Sequence, residues 1–219
     1  MIKLRVVVAL CIYAIGMRGG VAASAVEIHR LASEQNSIAE LGPTLAPFQH
    51  VRFCLRYPAD CRRNFNASES IELNNNNLML LEHINREVNA AIVSVRKDYD
   101  NNVDASWTIA PDSGDCNDYA TTKQHELRRR GFPSSALRLS VVKTADGDGH
   151  LVLVVTTING ELILDNLTNE IRPWKAANYR WLKIQSRSDP KLWVEVKSSV
   201  IVSAALKEAF RKMALESKR

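Results

Sequence analysis

The chain has 219 residues, 46% hydrophobic and 24% charged, with 9 Gly, 7 Pro and 4 Cys. These proportions are those of an ordinary folded domain and exclude a collagen-like, coiled-coil, disordered or disulfide-dense chain. The formal charge is +5, with no basic stripe interleaved with aromatics, so nucleic acid is not an expected partner.

In chain order, Lys3 and Arg5 precede an apolar run from Val6 to Ile15, and Ala23-Ser24-Ala25 follows. A positive end, a short apolar centre and an A-x-A site predict a signal peptide over residues 1–25. The run is too short for the roughly 20 residues of a membrane span. Cleavage removes Lys3, Arg5 and Arg18 and no acid, taking the formal charge from +5 to +2. The expectation is a periplasmic or secreted protein, with residues 26–219 as a single domain and no membrane span after cleavage. Cys54, Cys61 and Cys116 then remain. Pro58 and Asp60 favour a turn between Cys54 and Cys61, which makes a local disulfide sterically reasonable. The odd cysteine is a reactive group, an intermolecular partner or an inert core residue.

Residues 26–50 read as a loose leading segment and 51–70 as the cysteine loop. Leu81, Ile84, Val88, Ala91, Ile92 and Val95 recur at helical spacing and predict a helix over 78–97, capped by Asn77. Residues 98–114 read as loop. A second helix fits 116–130, ending at Gly131, with Arg128, Arg129 and Arg130 at its negative end. Strands follow: 136–143, 150–157, an Asn159-Gly160 turn, 161–165, 178–185 and 191–197. Residues 202–215 read as a terminal amphipathic helix. Helices followed by an antiparallel sheet define an α+β fold.

Three places carry candidate chemistry. In Gly114-Asp115-Cys116-Asn117-Asp118, a cysteine starts a helix, where the dipole favours thiolate and free backbone N–H groups can receive an oxyanion. Gly114 is expected to let a substrate backbone approach. Asp115 and Asp118 oppose the thiolate, so a cationic partner is needed. His150 leads an apolar strand, and Asp165 ends the next one. Taken alone, each reads as structural; together, Cys116, His150 and Asp165 make a thiol acyl-transfer set. A tight turn at Asn159-Gly160 sets Val154 opposite Asp165, which leaves His150 about 13 Å away along the strand. Contact therefore requires the loop to start near Val155, or a bulge. Asp146-Gly-Asp-Gly149 lacks the remaining ligands of a calcium loop and reads as the turn delivering His150. His125-Glu126 lacks the second histidine of a zinc-protease helix.

The segments GDCNDYATTKQHELRRRGFP, LRLSVVKTADGDGHLVLVV, NGELILDNL and FCLRYPADC are similar to the bacterial transglutaminase-like cysteine proteinases. So are Asn85 and Asn89, Trp107 ahead of Pro111, Trp174, Tyr179-Arg-Trp181 and Trp193. The resemblance spans roughly residues 48–195. It implies a papain-like, transglutaminase-type core in which Cys116 is the nucleophile, His150 the base and Asp165 the orienting acid. It also implies a periplasmic protease whose protein substrate is a large surface adhesin governing biofilm attachment, with an inhibitory membrane receptor as regulator. No cofactor is required for the thiol chemistry itself. The family's calcium is held by carboxylates flanking the nucleophile, here Asp115 and Asp118. Asn117 stands where an acid is usual, which weakens the hold on a hard cation. Two other outcomes fit the same fold: a transglutaminase, in which an amine captures the acyl-enzyme, and a non-catalytic extracytoplasmic binding protein. Trp107, Trp174 and Trp181 are candidates for either a substrate groove or the core.

Overall fold

The computed structural model describes residues 37–63, 68–99 and 105–197. The predicted signal peptide and the terminal helix at 202–215 lie outside the described residues. The elements run β1 (Glu40–Thr44), α1 (Phe48–Arg56), α2 (Asn75–Ala91), β2 (Val93–Ser94), β3 (Ser113–Gly114), α3 (Cys116–Arg129), β4 (Leu137–Lys143), β5 (Gly149–Thr157), β6 (Gly160–Leu164), β7 (Arg172–Pro173), β8 (Arg180–Gln185) and β9 (Trp193–Val196). Seven strands form one antiparallel sheet in the order β1-β9-β8-β4-β5-β6-β7. β2 and β3 make a small parallel ladder. The fold is α+β, with helices on an antiparallel sheet.

The sheet is covered on both faces. Leu137, Leu139, Leu151, Leu153, Val155 and Leu164 point toward the helices, against Leu81, Ile84, Val88, Ala120 and Leu127. The alternate positions Val142, Val152, Val154 and Ile163 pack with Trp174, Trp181 and Ile184 on the other side. β5, central and buried from His150 to Thr157, is apolar at successive positions because both its faces are roofed. Trp174 and Trp181 stack edge-on at 5.9 Å within that second layer, so these two belong to the core.

Several boundaries differ from the sequence reading. α2 is capped by Asn74, whose side chain accepts from the Asn77 N–H. The stripe outruns the helix: Ile92 is buried but extended, and chain pairing at Val93–Ser94 takes over. α1 lies within segments read as loop. It buries only His50 and Phe53 and follows Pro47, too short for periodicity to show. β1 also lies in the segment read as loose. It contains Gly42 and Pro43, tolerated because it is an edge strand with an irregular register. The Cys54–Cys61 disulfide is present and ties the end of α1 to the following turn.

Candidate active site

α3 begins at Cys116 because Asp115 caps it. The Asp115 side chain accepts from the Asn117 N–H, and the Asp118 side chain accepts from the Asp115 N–H, a reciprocal capping box. This arrangement sets the sulfur on the first residue of the helix. Cys116 is the free cysteine among the described residues and is half-buried. The box engages the Asn117, Asp118 and Tyr119 N–H groups with Asp115. Of the first-turn amides expected to serve an oxyanion, that leaves the one on Cys116. Gly114 has a different use from the one expected. A Cβ there would lie 2.5 Å from Asp118 Oδ2 and 2.7 Å from Asp118 Cβ. The glycine therefore makes room for Asp118, not for a substrate backbone.

His150 enters on β5 from a turn closed by Thr144 and Gly147, the latter at φ 91°. Its Nε2 lies 2.8 Å from Asp165 Oδ1. The geometry that achieves this has no bulge: the turn starts one residue earlier than Asn159-Gly160, though not as early as Val155. The two turn residues are Ile158 and Asn159, because Thr157 pairs with Gly160 and Leu153 with Leu164 in an unbroken register. Gly160, at φ 123°, takes the strained position after the turn, and the Thr157 hydroxyl donates to its carbonyl. The pairing is thus shifted by two, Val152 falls opposite Asp165, and His150 is a diagonal neighbour within side-chain reach.

Asp165 is buried and held from several sides. The Leu167 N–H donates to its Oδ1, the Tyr179 hydroxyl donates to Oδ2, and Asn89 Nδ2 grips its backbone carbonyl at 2.9 Å. Asn85 and Asn89 also hold the Thr168 carbonyl, which fixes the whole turn after β6. Burial alone would raise the Asp165 carboxyl, but hydrogen bonds and charge from His150, then Tyr179 and Leu167, bring it below its ordinary range. Burial would likewise lower the His150 imidazole. Hydrogen bonds from its ring to Asp165 and to Cys116 outweigh burial and lift it to about 9. With Nε2 engaged by Asp165, Nδ1 is the nitrogen left for the sulfur. The structure therefore brings all three predicted residues together.

Cys116 and His150 open onto a cleft of about 950 Å³ that Lys97, Trp107 and Asn166 also line. Phe48, Val95 and Leu167 stand exposed along it, an apolar rim suited to an extended polypeptide. Trp107 is thus the one tryptophan of the three candidates at the cleft. His50 and His125 have structural settings. His50 is buried between Trp193 Nε1 and Gln185 Nε2, and burial pushes it down to about 4. It lies near Cys54 and Cys61, but their sulfurs are committed to the disulfide. His125 pairs with Asp60 at 2.7 Å.

Calcium fits the aspartates poorly. A calcium ion takes six to eight oxygens at about 2.3–2.6 Å. The Asp118 carboxylate is already surrounded by donors. Lys97 Nζ lies 2.7 Å from each oxygen, the Thr108 N–H and hydroxyl are at 2.8 and 2.7 Å, and the Asp115 N–H is at 2.8 Å. Burial holds the Asp115 carboxyl above its usual range, and the Tyr99 hydroxyl bonds to it. Asn117 Nδ2 donates to the Tyr99 oxygen at 3.2 Å. An ion could reach the Asp118 oxygens only by displacing the Lys97 ammonium. The sequence reading did not single out these residues: Lys97 fell at the polar end of the helix predicted over 78–97, and Tyr99 and Thr108 fell in the segment read as loop.

Lys123, one face of α3 below Cys116, was also missed. Its side chain is buried and its Nζ meets no hydrogen-bond acceptor among the described residues. Burial pulls its pKa down to about 7, against the attraction of Asp165. The native state thus binds this proton more weakly than the unfolded chain, and stability from this group rises as pH climbs from about 7 toward 10.5. Lys123→Met should stabilise the fold at pH 6 by about 1–4 kcal/mol, and most of the gain should be gone by pH 10. Urea midpoints of the two proteins across that range check it; a gain that does not change with pH would refute it.

The family profile described as "Bacterial transglutaminase-like cysteine proteinase BTLCP" matches residues 40–200. The chain belongs to that family, and it is a cysteine peptidase of the transglutaminase-like type. Among solved structures it is similar to Legionella pneumophila LapG. The calcium-bound form is 23% identical with a TM-score of 0.46, over 56% of this chain and 72% of that one. A second LapG structure is 20% identical with a TM-score of 0.46, over 82% and 91%. An EGTA-treated form is 20% identical with a TM-score of 0.47, over 81% and 91%. A comparison with curated protein sequences gives no match. No described helix is long and apolar enough to cross a membrane.

Proposed function

We propose that this peptidase cleaves peptide bonds of a protein substrate through a Cys116–His150–Asp165 triad and a thioester acyl-enzyme. The observation that carries this reading is the His150 ring, hydrogen-bonded to the Asp165 carboxylate at 2.8 Å and lining one cleft with Cys116, whose proximity helps keep the ring protonated. An imidazole kept protonated to about 9 is the counter-ion a thiolate needs at neutral pH. The sulfur attacks the scissile carbonyl carbon, forming a C–S bond and an oxyanion that the Cys116 N–H receives. Collapse breaks the C–N bond as His150 gives its proton to the leaving amine. Water then attacks the thioester, His150 takes a proton from it, and release of the new carboxyl end restores the thiolate–imidazolium pair. Asp165, held by Tyr179, Leu167 and Asn89, keeps the ring oriented and balances its charge. The residue pattern of the first 25 positions supports export to the periplasm or outside the cell. The family resemblance supports a large surface adhesin as substrate, under an inhibitory membrane receptor.

Labelling with iodoacetamide at pH 6 tests the chemistry. Cys116 should react at least about tenfold faster than free cysteine, whose thiol ionises near 8.5, and His150→Ala should lose that advantage. Slow, ordinary labelling of the wild type would point to a binding protein on this fold. With fast labelling, incubation with a primary amine and a glutamine-containing protein separates hydrolysis from amine transfer.

A further inference from the structure

We propose that Lys97 is a resident cation: its ammonium occupies the place beside the nucleophile that a calcium ion would need, and the protein folds and works without calcium. Asp115 and Asp118 flank Cys116 at the start of a 14-residue helix. Two carboxylates so close require a positive partner, or they would repel each other and oppose a thiolate next door. Lys97 supplies it from outside the helix. Its Nζ spans both Asp118 oxygens at 2.7 Å and donates to the Ser106 carbonyl at 2.8 Å. It thereby clamps three segments: the stretch after β2, the loop through Ser106 and Thr108, and the capping turn of α3. Asp118 is completely buried, whereas the Lys97 side chain is 19% exposed, so the cation sits between the carboxylate and the cleft.

The rest of the cluster agrees with a fixed ammonium. Three further hydrogen bonds reach Asp118, two from Thr108 and one from the Asp115 backbone. With the ammonium in place, both carboxylate oxygens already have partners. An acid at 117 would add a third carboxylate that one ammonium could not balance. Asn117 instead donates to Tyr99. Lys97 is therefore a positioning residue that acts on Cys116 through the cap of its helix. The inference borrows from the proposed function only in calling Cys116 the nucleophile, and its test reads metal binding and melting, so it stands or falls separately.

Equilibrium dialysis of the wild-type protein against radioactive calcium should find no stoichiometric site up to about 1 mM, the weak end of calcium modules, and EGTA should leave the melting temperature unchanged. One bound calcium per chain, or a melting temperature that drops in EGTA, would overturn the proposal. Lys97→Met should melt about 5–15 °C lower. Calcium at about 1 mM should restore at least half of that loss, because the carboxylates are then open to it. A variant as stable as wild type in EGTA, or a loss that calcium does not repair, would make Lys97 an ordinary ion pair and refute the substitution. If Lys97→Met does not fold, the wild-type dialysis and melting decide the question by themselves.

Discussion

Asp165→Asn should lower hydrolysis of an unfolded protein substrate by about 10³–10⁴-fold, the loss seen when a triad's orienting acid becomes an amide. The substitution is close to isosteric. Asparagine Oδ1 can still accept from Leu167 and from His150, and Nδ2 can donate to the Tyr179 oxygen, so the turn after β6 has partners for every polar group it now holds. What disappears is the charge. His150 is lifted to about 9 because bonds to Asp165 and Cys116 outweigh its burial. Without the carboxylate, burial has the larger share, and the ring deprotonates at lower pH. The direction of the stability effect follows. A base whose folded pKa is raised contributes stability that is complete below its unfolded value of 6.5 and is lost as pH rises through about 9. The stability difference between wild type and Asp165→Asn should therefore be largest near pH 6 and shrink by pH 10. The alkaline limb of Cys116 labelling should also move toward neutrality. A labelling profile that keeps its alkaline limb near 9 would show that Asp165 does not hold the imidazolium, and the proposed role would fall.

Lys123 enters the same pH window with the opposite sign. Its burial makes the protein gain stability above about 7, while His150 makes it lose stability toward 9. The wild-type curve is flattened by their sum, and only differences between variants separate them.

How much of this was legible in the sequence depends on how local each cause is. The start of α3 was readable because Asp115, Cys116 and Asp118 lie within one turn and act on one another. The α+β order was readable because β4 alternates, β5 carries a long apolar run and β6 follows after a turn, and the Cys54–Cys61 bridge because its ends are only seven positions apart. The hairpin register was missed by two positions in the pairing. Asn159-Gly160 has the composition of a turn centre, yet Gly160 serves at the strand's first position, where its positive φ is needed. That choice depends on Thr157 and on the core positions of both strands, which no dipeptide rule contains. β1 and α1 were missed because an edge strand with a proline and a short helix with two buried residues show no period. Lys97, Tyr179, Asn89 and Lys123 reach Asp118 or Asp165 only through folding, from 14 to 76 residues away. The resemblance brought Asn89 and Tyr179 into view as pattern. Their use, gripping the Asp165 carbonyl and carboxylate, became visible only with the fold.

The largest expected loss of stability lies further along the sheet, away from the cleft. Arg138 on β4 is fully buried, and its guanidinium bridges Glu40 of β1 and Glu161 of β6, each at 2.5 Å. Arg187 joins from the segment after β8, 2.7 Å from Glu161, and the Ile38 N–H donates to the second Glu161 oxygen. Burial and the neighbouring Arg187 charge lower the Arg138 pKa, and Glu161 and Glu40 oppose them. The cluster joins the edge strand to the middle of the sheet. Arg138→Met should destabilise the protein by about 3–5 kcal/mol, because it leaves Glu161 buried with Arg187 as its remaining cation. Adding Glu161→Leu should recover most of that loss, since the penalty comes from a stranded charge and not from a missing attraction. Cys116 labelling should be nearly unchanged in the folded variant. Arg138 faces Val154, whereas His150 faces Val142, four residues or about 13 Å along the strand. Denaturant unfolding of the single and double variants checks the first two outcomes. A double variant no more stable than Arg138→Met would show that the four-residue ion cluster holds the sheet by net attraction, contrary to the desolvation argument.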